Sequence, residues 1–151
     1  MTWSRILVGT DGTERAGRAV THAARLAAAV SAELIIVTAY GSSGTTQAED
    51  GPGTPGAPAD LAWTATAAAG AEDVAHRAAD SARSAGAADV RTRTVNAAPA
   101  DGLAQVAEDI QADLIVIGSK GMTSTLRFIT GSVPNELSHH IQRDLLIVRT
   151  D

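Results

Sequence analysis

The sequence predicts an α/β fold: a doubly wound, five-stranded parallel sheet with helices on both faces. Three observations predict it. Short continuous apolar runs at residues 6–8, 34–37, 114–118 and 145–148 alternate with longer stretches whose apolar residues recur at helical spacing. Runs apolar at every position suit strands buried on both faces, as the interior strands of a parallel sheet are. Apolar residues make up 44% of the chain but aromatics only 3%, so the core must be built from Ala, Val, Ile and Leu, which let helices lie close to a sheet. With 151 residues, the chain suits one domain spanning 1–151.

Taken in order, residues 6–8 form a buried strand that ends in Gly9-Thr10-Asp11-Gly12, a turn. From Glu14 onward, Ala16, Ala19, Val20, Ala23, Leu26, Ala27 and Val30 give one apolar helical face. The second strand is Leu-Ile-Ile-Val at 34–37. Residues 41–60 are rich in Gly, Pro, Ser and Thr without periodicity, and the expectation is a flexible loop over 41–62 inside the domain. Ala71, Val74, Ala75, Ala78, Ala82 and Ala85 restore a helical stripe that Gly86 stops. Residues 90–95, Val-Arg-Thr-Arg-Thr-Val, alternate in polarity as an edge strand does. Pro99 can open a helix whose inner face is Leu103, Val106, Ala107 and Ile110. The fourth strand, 114–118, precedes a glycine-rich segment; Val133, Leu137 and Ile141 then mark a helix, and 145–148 the last strand. The alternation is β-α-β-α-β-α-β-α-β. Right-handed crossovers leave few strand orders for it, flavodoxin-like and related ones among them.

Composition excludes several classes of function. The net charge of −5 lacks the basic surplus of a nucleic-acid binder. An anionic ligand therefore needs a local site rather than a global field. With no cysteine there are no disulfides, thiolate metal ligands or cysteine nucleophiles. The start, MTWSRILVGT, lacks the features of a signal peptide, and no apolar run approaches the roughly 20 residues of a membrane span. A cytoplasmic protein without membrane partners is expected. His139 and His140 point about 100° apart on a helix, and His22 and His76 are isolated, so all four are read as surface or packing residues.

Two loops stand where doubly wound sheets bind ligands, beyond the carboxyl ends of strands. One is Gly9-Thr10-Asp11-Gly12. The other is residues 118–137, GSKGMTSTLRFITGSVPNEL. There Gly118 ends a strand, Gly121 lets the chain curl, and Gly131 and Ser132 begin a helix whose first amides form an anion site. Ser119, Lys120, Arg127, Thr123, Ser124 and Thr125 add charge and donors around it. These are the requirements of a polyphosphate cradle in an acidic protein. The spacing is neither that of the P-loop nor that of the dinucleotide fingerprint. Simpler roles stand beside these: Asp11 and Ser132 are favoured helix caps, Gly9 and Gly12 suit any strand-to-helix turn, and Lys120 and Arg127 suit a solvated surface.

Together, ILVGTDGT, DLIVIGSKG, GSV and the final DLLIV resemble the motifs of the universal stress proteins over nearly the whole chain, although Asp144 stands where a proline usually precedes the last strand. The resemblance implies the sheet order 3-2-1-4-5, a homodimer and, in the ATP-binding branch, an adenine nucleotide in the crevice between strands 1 and 4. By matching position it implies that Gly9, Thr10 and Asp11 line the adenosine side, with Asp11 near the ribose or a metal. Ala39 would touch adenine through its backbone. Ile117, Gly118 and Gly121 would approach the sugar and phosphates, and Gly131, Ser132 and Val133 would hold the phosphate end. The stretch GSVPNELSHH looks closest to an actinobacterial subgroup that also binds cyclic AMP, so cyclic AMP competes with ATP as the expected ligand. In that sheet order the last strand is an edge, and its apolar Leu145, Leu146, Ile147 and Val148 suggest that a second copy covers it.

Three functional classes follow. The first is a regulatory or nucleotide-sequestering binder without fast turnover, because no strong general base is placed. The second is a slow ATP hydrolase, with Mg²⁺ held by Asp11 and charge stabilisation from Lys120 or Arg127. The third is a stress-response interaction protein with an inactive nucleotide site. A phospho-acceptor receiver module fits poorly: the third strand ends in Val95-Asn96 and the fifth in Arg149-Thr150, where an acceptor Asp and a Lys belong.

Overall fold

A computed structural model describes residues 3–41, 57–119 and 132–150. Its strands β1 (Arg5–Gly9), β2 (Glu33–Tyr40), β3 (Val90–Asn96), β4 (Leu114–Gly118) and β5 (Asp144–Val148) form one parallel sheet in the order β3-β2-β1-β4-β5. Among the described residues, the helices joining them are α1 (Glu14–Val30), α2 (Ala57–Ser84), α3 (Pro99–Ile110) and α4 (Ser132–His140).

The two-residue period of a strand sorts the core into two layers. On one face, Ile6, Val8, Leu34, Ile36, Leu114 and Val116 pack against Ala19, Val20, Ala23, Ala24 and Ala27 of α1 and Ala79 and Ala82 of α2. On the other, Leu7, Ile35, Val37, Ile115 and Ile117 pack against Leu103, Val106 and Ala107 of α3 and Val133 and Leu137 of α4. Because β1, β2 and β4 are buried on both faces, each central position is apolar, which is why the runs are continuous rather than alternating. The alanines let α1 and α2 sit close to the sheet. The larger side chains come from the strands, and full burial of each Ile, Leu or Val contributes about 1.5–3 kcal/mol. Register is tight: Leu7 pairs with Ile35 on one side and Ile115 on the other.

Local signals set the boundaries. Thr13 caps α1, its hydroxyl accepting from the Ala16 amide at 3.2 Å. Pro99 opens α3 as its first residue, where a missing N–H costs nothing. The sequence reading of a loop through 62 is corrected here: α2 begins at Ala57. Pro58 falls in the first turn, where proline is tolerated, and an alanine-rich stretch with high helix propensity follows. The remainder of that expected loop, residues 42–56, lies outside the described residues. β3 is an edge as its alternation predicts, with Arg91 and Arg93 exposed along it.

At the amino end of the sheet, Asp113 Oδ2 accepts from the amides of Arg5 (2.9 Å) and Ser4 (2.8 Å). These main-chain donors, helped by the guanidinium groups of Arg143 and Arg5, hold the Asp113 carboxyl below its ordinary range. His22, His76 and His139 are exposed. Among the described residues no helix is long and apolar enough to cross a membrane.

Candidate functional site

The chain leaves the carboxyl ends of β1 and β4 toward opposite faces. After β1 it enters α1, on the face shared with α2; the segment after β4 leads to α4, on the face shared with α3. β1 and β4 pair as neighbours, and the connections that follow them lead to opposite faces beyond their carboxyl ends, the topological switch point of a doubly wound fold.

On the β1 side the turn is held by its own side chains. The Thr10 amide donates to Val37 O at 3.0 Å, extending the pairing of β1 with β2 past Gly9. Thr10 Oγ1 accepts from the Gly12 amide at 3.1 Å. Gly12 turns with φ +85°, a conformation costly for residues with a Cβ. Asp11 Oδ1 accepts from the Thr13 amide at 2.9 Å and from the Thr13 hydroxyl at 2.7 Å. Asp11 is therefore not the cap of α1. It braces Thr13, which is, and its second carboxylate oxygen has no protein donor in this turn.

On the β4 side, Gly118 ends the strand half-buried. The Ser119 amide donates to Val148 O at 2.7 Å, and Ser119 Oγ accepts from the Thr150 amide at 3.3 Å. These bonds tie the mouth of β4 to β5. Ser132 is the first residue of α4, and Val133 packs into the core beside Leu137. A helix following a parallel strand runs back along it, so the α4 N-terminus lies at the carboxyl end of the sheet. Ala39, near the end of β2, is half-buried and pairs with Val95, and Ile117 is buried. Thus Gly9, Thr10, Asp11, Ala39, Ile117, Gly118, Ser119, Ser132 and Val133 all belong to this end of the sheet. Lys120, Gly121, Arg127 and Gly131, with Thr123, Ser124 and Thr125, lie outside the described residues.

Sequence reasoning missed a polar layer. Among the described residues the buried polar side chains are Thr10, Thr38 and Thr150. They stand at or just past the carboxyl ends of β1, β2 and β5. By alternation from Val8, Ile36 and Val148 they share the α1/α2 face. The hydroxyls of Thr38 and Thr150 have no hydrogen-bond partner. A buried hydroxyl without a partner is costly, which marks this end of the sheet as different from the rest of the core. The signal was present as a threonine closing the Leu-Ile-Ile-Val run in phase with Ile36. Among the described residues no cluster of three or more His, Asp or Glu side chains could hold a metal.

A doubly wound, five-stranded parallel sheet in the order β3-β2-β1-β4-β5 defines a class of small α/β proteins. Within it, this chain belongs to the universal stress protein family, whose family profile matches residues 2–149. The universal stress protein Rv1636 of Mycobacterium tuberculosis strain H37Rv is 36% identical over 152 aligned positions, covering 98% of this chain and 97% of that protein. The structure is similar to that of a universal stress protein crystallised in complex with cAMP, at TM-score 0.73 and 33% identity with all of both chains covered. It also shares the fold of the universal stress protein UspA from Lactobacillus plantarum, at TM-score 0.80, 22% identity and 99% of each chain.

Proposed function

We propose that this protein binds an adenine nucleotide, cyclic AMP or ATP, in the crevice between β1 and β4, as a regulatory or nucleotide-sequestering protein without rapid turnover. The observation that carries the reading is the divergence of the chain after β1 and β4, which places the half-exposed Asp11 and Gly118 at the same end of the sheet. The similar structure holding cAMP supports an adenine ligand. In this reading Gly9, Thr10 and Asp11 meet the adenosine, and the Ala39 backbone meets the base. Gly118 and Gly121 admit the sugar and phosphates, and the first amides of α4 at Ser132 and Val133 take the charged end.

A second reading, slow Mg²⁺-dependent ATP hydrolysis, is favoured by one observation. Asp11 keeps one carboxylate oxygen outside its turn bonds, and Mg²⁺ bound to nucleotide commonly uses one or two carboxylates beside phosphates and water. The proposal includes a homodimer through β5, whose Leu146 and Ile147 are the exposed large hydrophobic residues.

Titration calorimetry with cyclic AMP, ATP, ADP and AMP tests the first reading. Saturable binding of at least one, lost in Gly121→Val and Gly131→Val, is the expected result. No heat with any of the four ends it. Phosphate release from ATP, with and without Mg²⁺, separates the second reading from the first.

A further inference from the structure

The outer surface carries a second feature, which borders the proposed nucleotide crevice at Thr10. Helices α1 and α2 border a groove of about 670 Å³ that starts beside Thr10 and Gly12 and runs down the surface away from the crevice. Its lining includes Arg18, Arg25, Arg77 and Arg149 against one acid, Glu14. This is a local cationic excess on a chain whose net charge is −5. Five arginines outside the groove are matched by carboxylates: Arg5 and Arg91 by Glu33, Arg83 by Asp80, Arg93 by Asp109, Arg143 by Glu108. In the groove Arg77 pairs with Asp73 one helical turn away. Arg18 donates to the Thr150 carbonyl at 2.7 Å, and neither Arg18 nor Arg25 has a carboxylate partner among the described residues.

We propose that this groove docks an acidic amphipathic helix of a partner protein. Arg18 and Arg25 are seven residues apart on α1, two turns or about 10 Å along the axis. Carboxylates two turns apart on a partner helix match that spacing. Val20, Val74 and Ala78 provide an apolar floor between the cations for the partner's apolar stripe. Cations set along two turns of one helix match an extended partner better than a single small anion. The chain's overall negative charge argues against a nucleic acid, whose binding draws on a broad basic field.

The test uses the full chain and a fluorescein-labelled amphipathic helical peptide of about four turns, with glutamates seven residues apart beside a leucine stripe. Anisotropy is expected to show saturable binding that weakens with salt. The paired substitution Arg25→Glu, Arg77→Glu should weaken it roughly tenfold or more while nucleotide binding is kept. The milder pair Arg25→Gln, Arg77→Gln, together with a glutamine version of the peptide, gives the same readout if charge reversal unfolds the chain. No peptide binding, or binding unmoved by either pair, overturns the proposal. So does equal competition by inorganic phosphate or a single-stranded DNA oligonucleotide, which makes the groove a general anion surface. Displacement of the peptide by nucleotide without any arginine effect puts the peptide in the crevice and also overturns it.

Discussion

Gly9 lies directly against Leu103: a Cβ built on Gly9 would meet both Leu103 methyl carbons at 2.9 Å. The last residue of β1, at the mouth of the crevice, is thus in contact with the buried anchor of α3. Gly9 is glycine first for packing, whatever else approaches it. Gly9→Ala is expected to destabilise the protein by about 1–3 kcal/mol, the usual cost of overpacking a core. Leu103→Ala alone should cost about 2–5 kcal/mol through its cavity. Because the two sites share one space, the double variant should cost clearly less than the sum, a coupling that urea denaturation of all four proteins measures. Strict additivity would show that the contact carries no strain.

The orphan hydroxyl of Thr38 leads to a second expectation. Valine has nearly the same shape and removes the unpaired polar atom. Thr38→Val should therefore raise the stability of the ligand-free protein, by about 1 kcal/mol. If the hydroxyl serves a bound nucleotide, directly or through water, the same change lowers nucleotide affinity. Thermal melts with and without cyclic AMP or ATP separate the two effects. A variant that is less stable without ligand would mean that Thr38 is satisfied in the folded protein.

What was legible in the sequence follows from which interactions are local. Continuous apolar runs reveal β1, β2 and β4 because double-sided burial leaves no polar position in a central strand, β5 carries a similar run on an exposed edge, and Pro99 announces α3 by its fixed φ. The start of α2 was hidden. Gly and Pro in 41–60 continue up to Pro58, which already lies in the first turn of the helix, so composition and conformation disagree there. Glycine spacing placed the candidate site at the carboxyl ends of β1 and β4. It could not show that Asp11 braces Thr13 instead of capping α1, because Thr13 and Asp11 are both favoured caps two residues apart. Nor could it show the buried threonines at the ends of β1, β2 and β5, whose burial exists only once the sheet and its covering helices are assembled.

Acid should weaken the amino end of the sheet. The Asp113 carboxyl titrates below the ordinary aspartate range in the folded protein because it accepts the amides of Arg5 and Ser4. A depressed folded value means that the carboxylate's contribution is complete above the unfolded value, near pH 4, and is lost as pH falls through the folded one. Asp113 is exposed, so its worth is discounted to about 1 kcal/mol or less. Asp113→Asn should lower stability slightly at pH 7, and the gap from the wild type should close as pH falls below about 4 and through the lowered folded value. A gap that is constant with pH would assign the effect to something other than the charge.

The last expectation concerns the edge that β5 leaves open. β5 pairs with β4 alone, so its outer main-chain groups have no strand partner within the described chain. Leu146 is 36% and Ile147 47% exposed, and they lie on opposite faces of the strand. A solitary edge is normally guarded by charge, as Arg91 and Arg93 guard β3; β5 has only Asp144 at its start. Antiparallel pairing of two β5 strands across a two-fold axis would satisfy the main chain and cover both side chains at once. Sedimentation is accordingly expected to give twice the 15.4 kDa chain mass for the wild type and the single mass for Ile147→Lys. The dimer's melting temperature should rise with protein concentration, and the variant's should not. A wild type that sediments as a single chain at micromolar concentration contradicts the pairing. An Ile147→Lys variant that remains dimeric moves the interface to another surface.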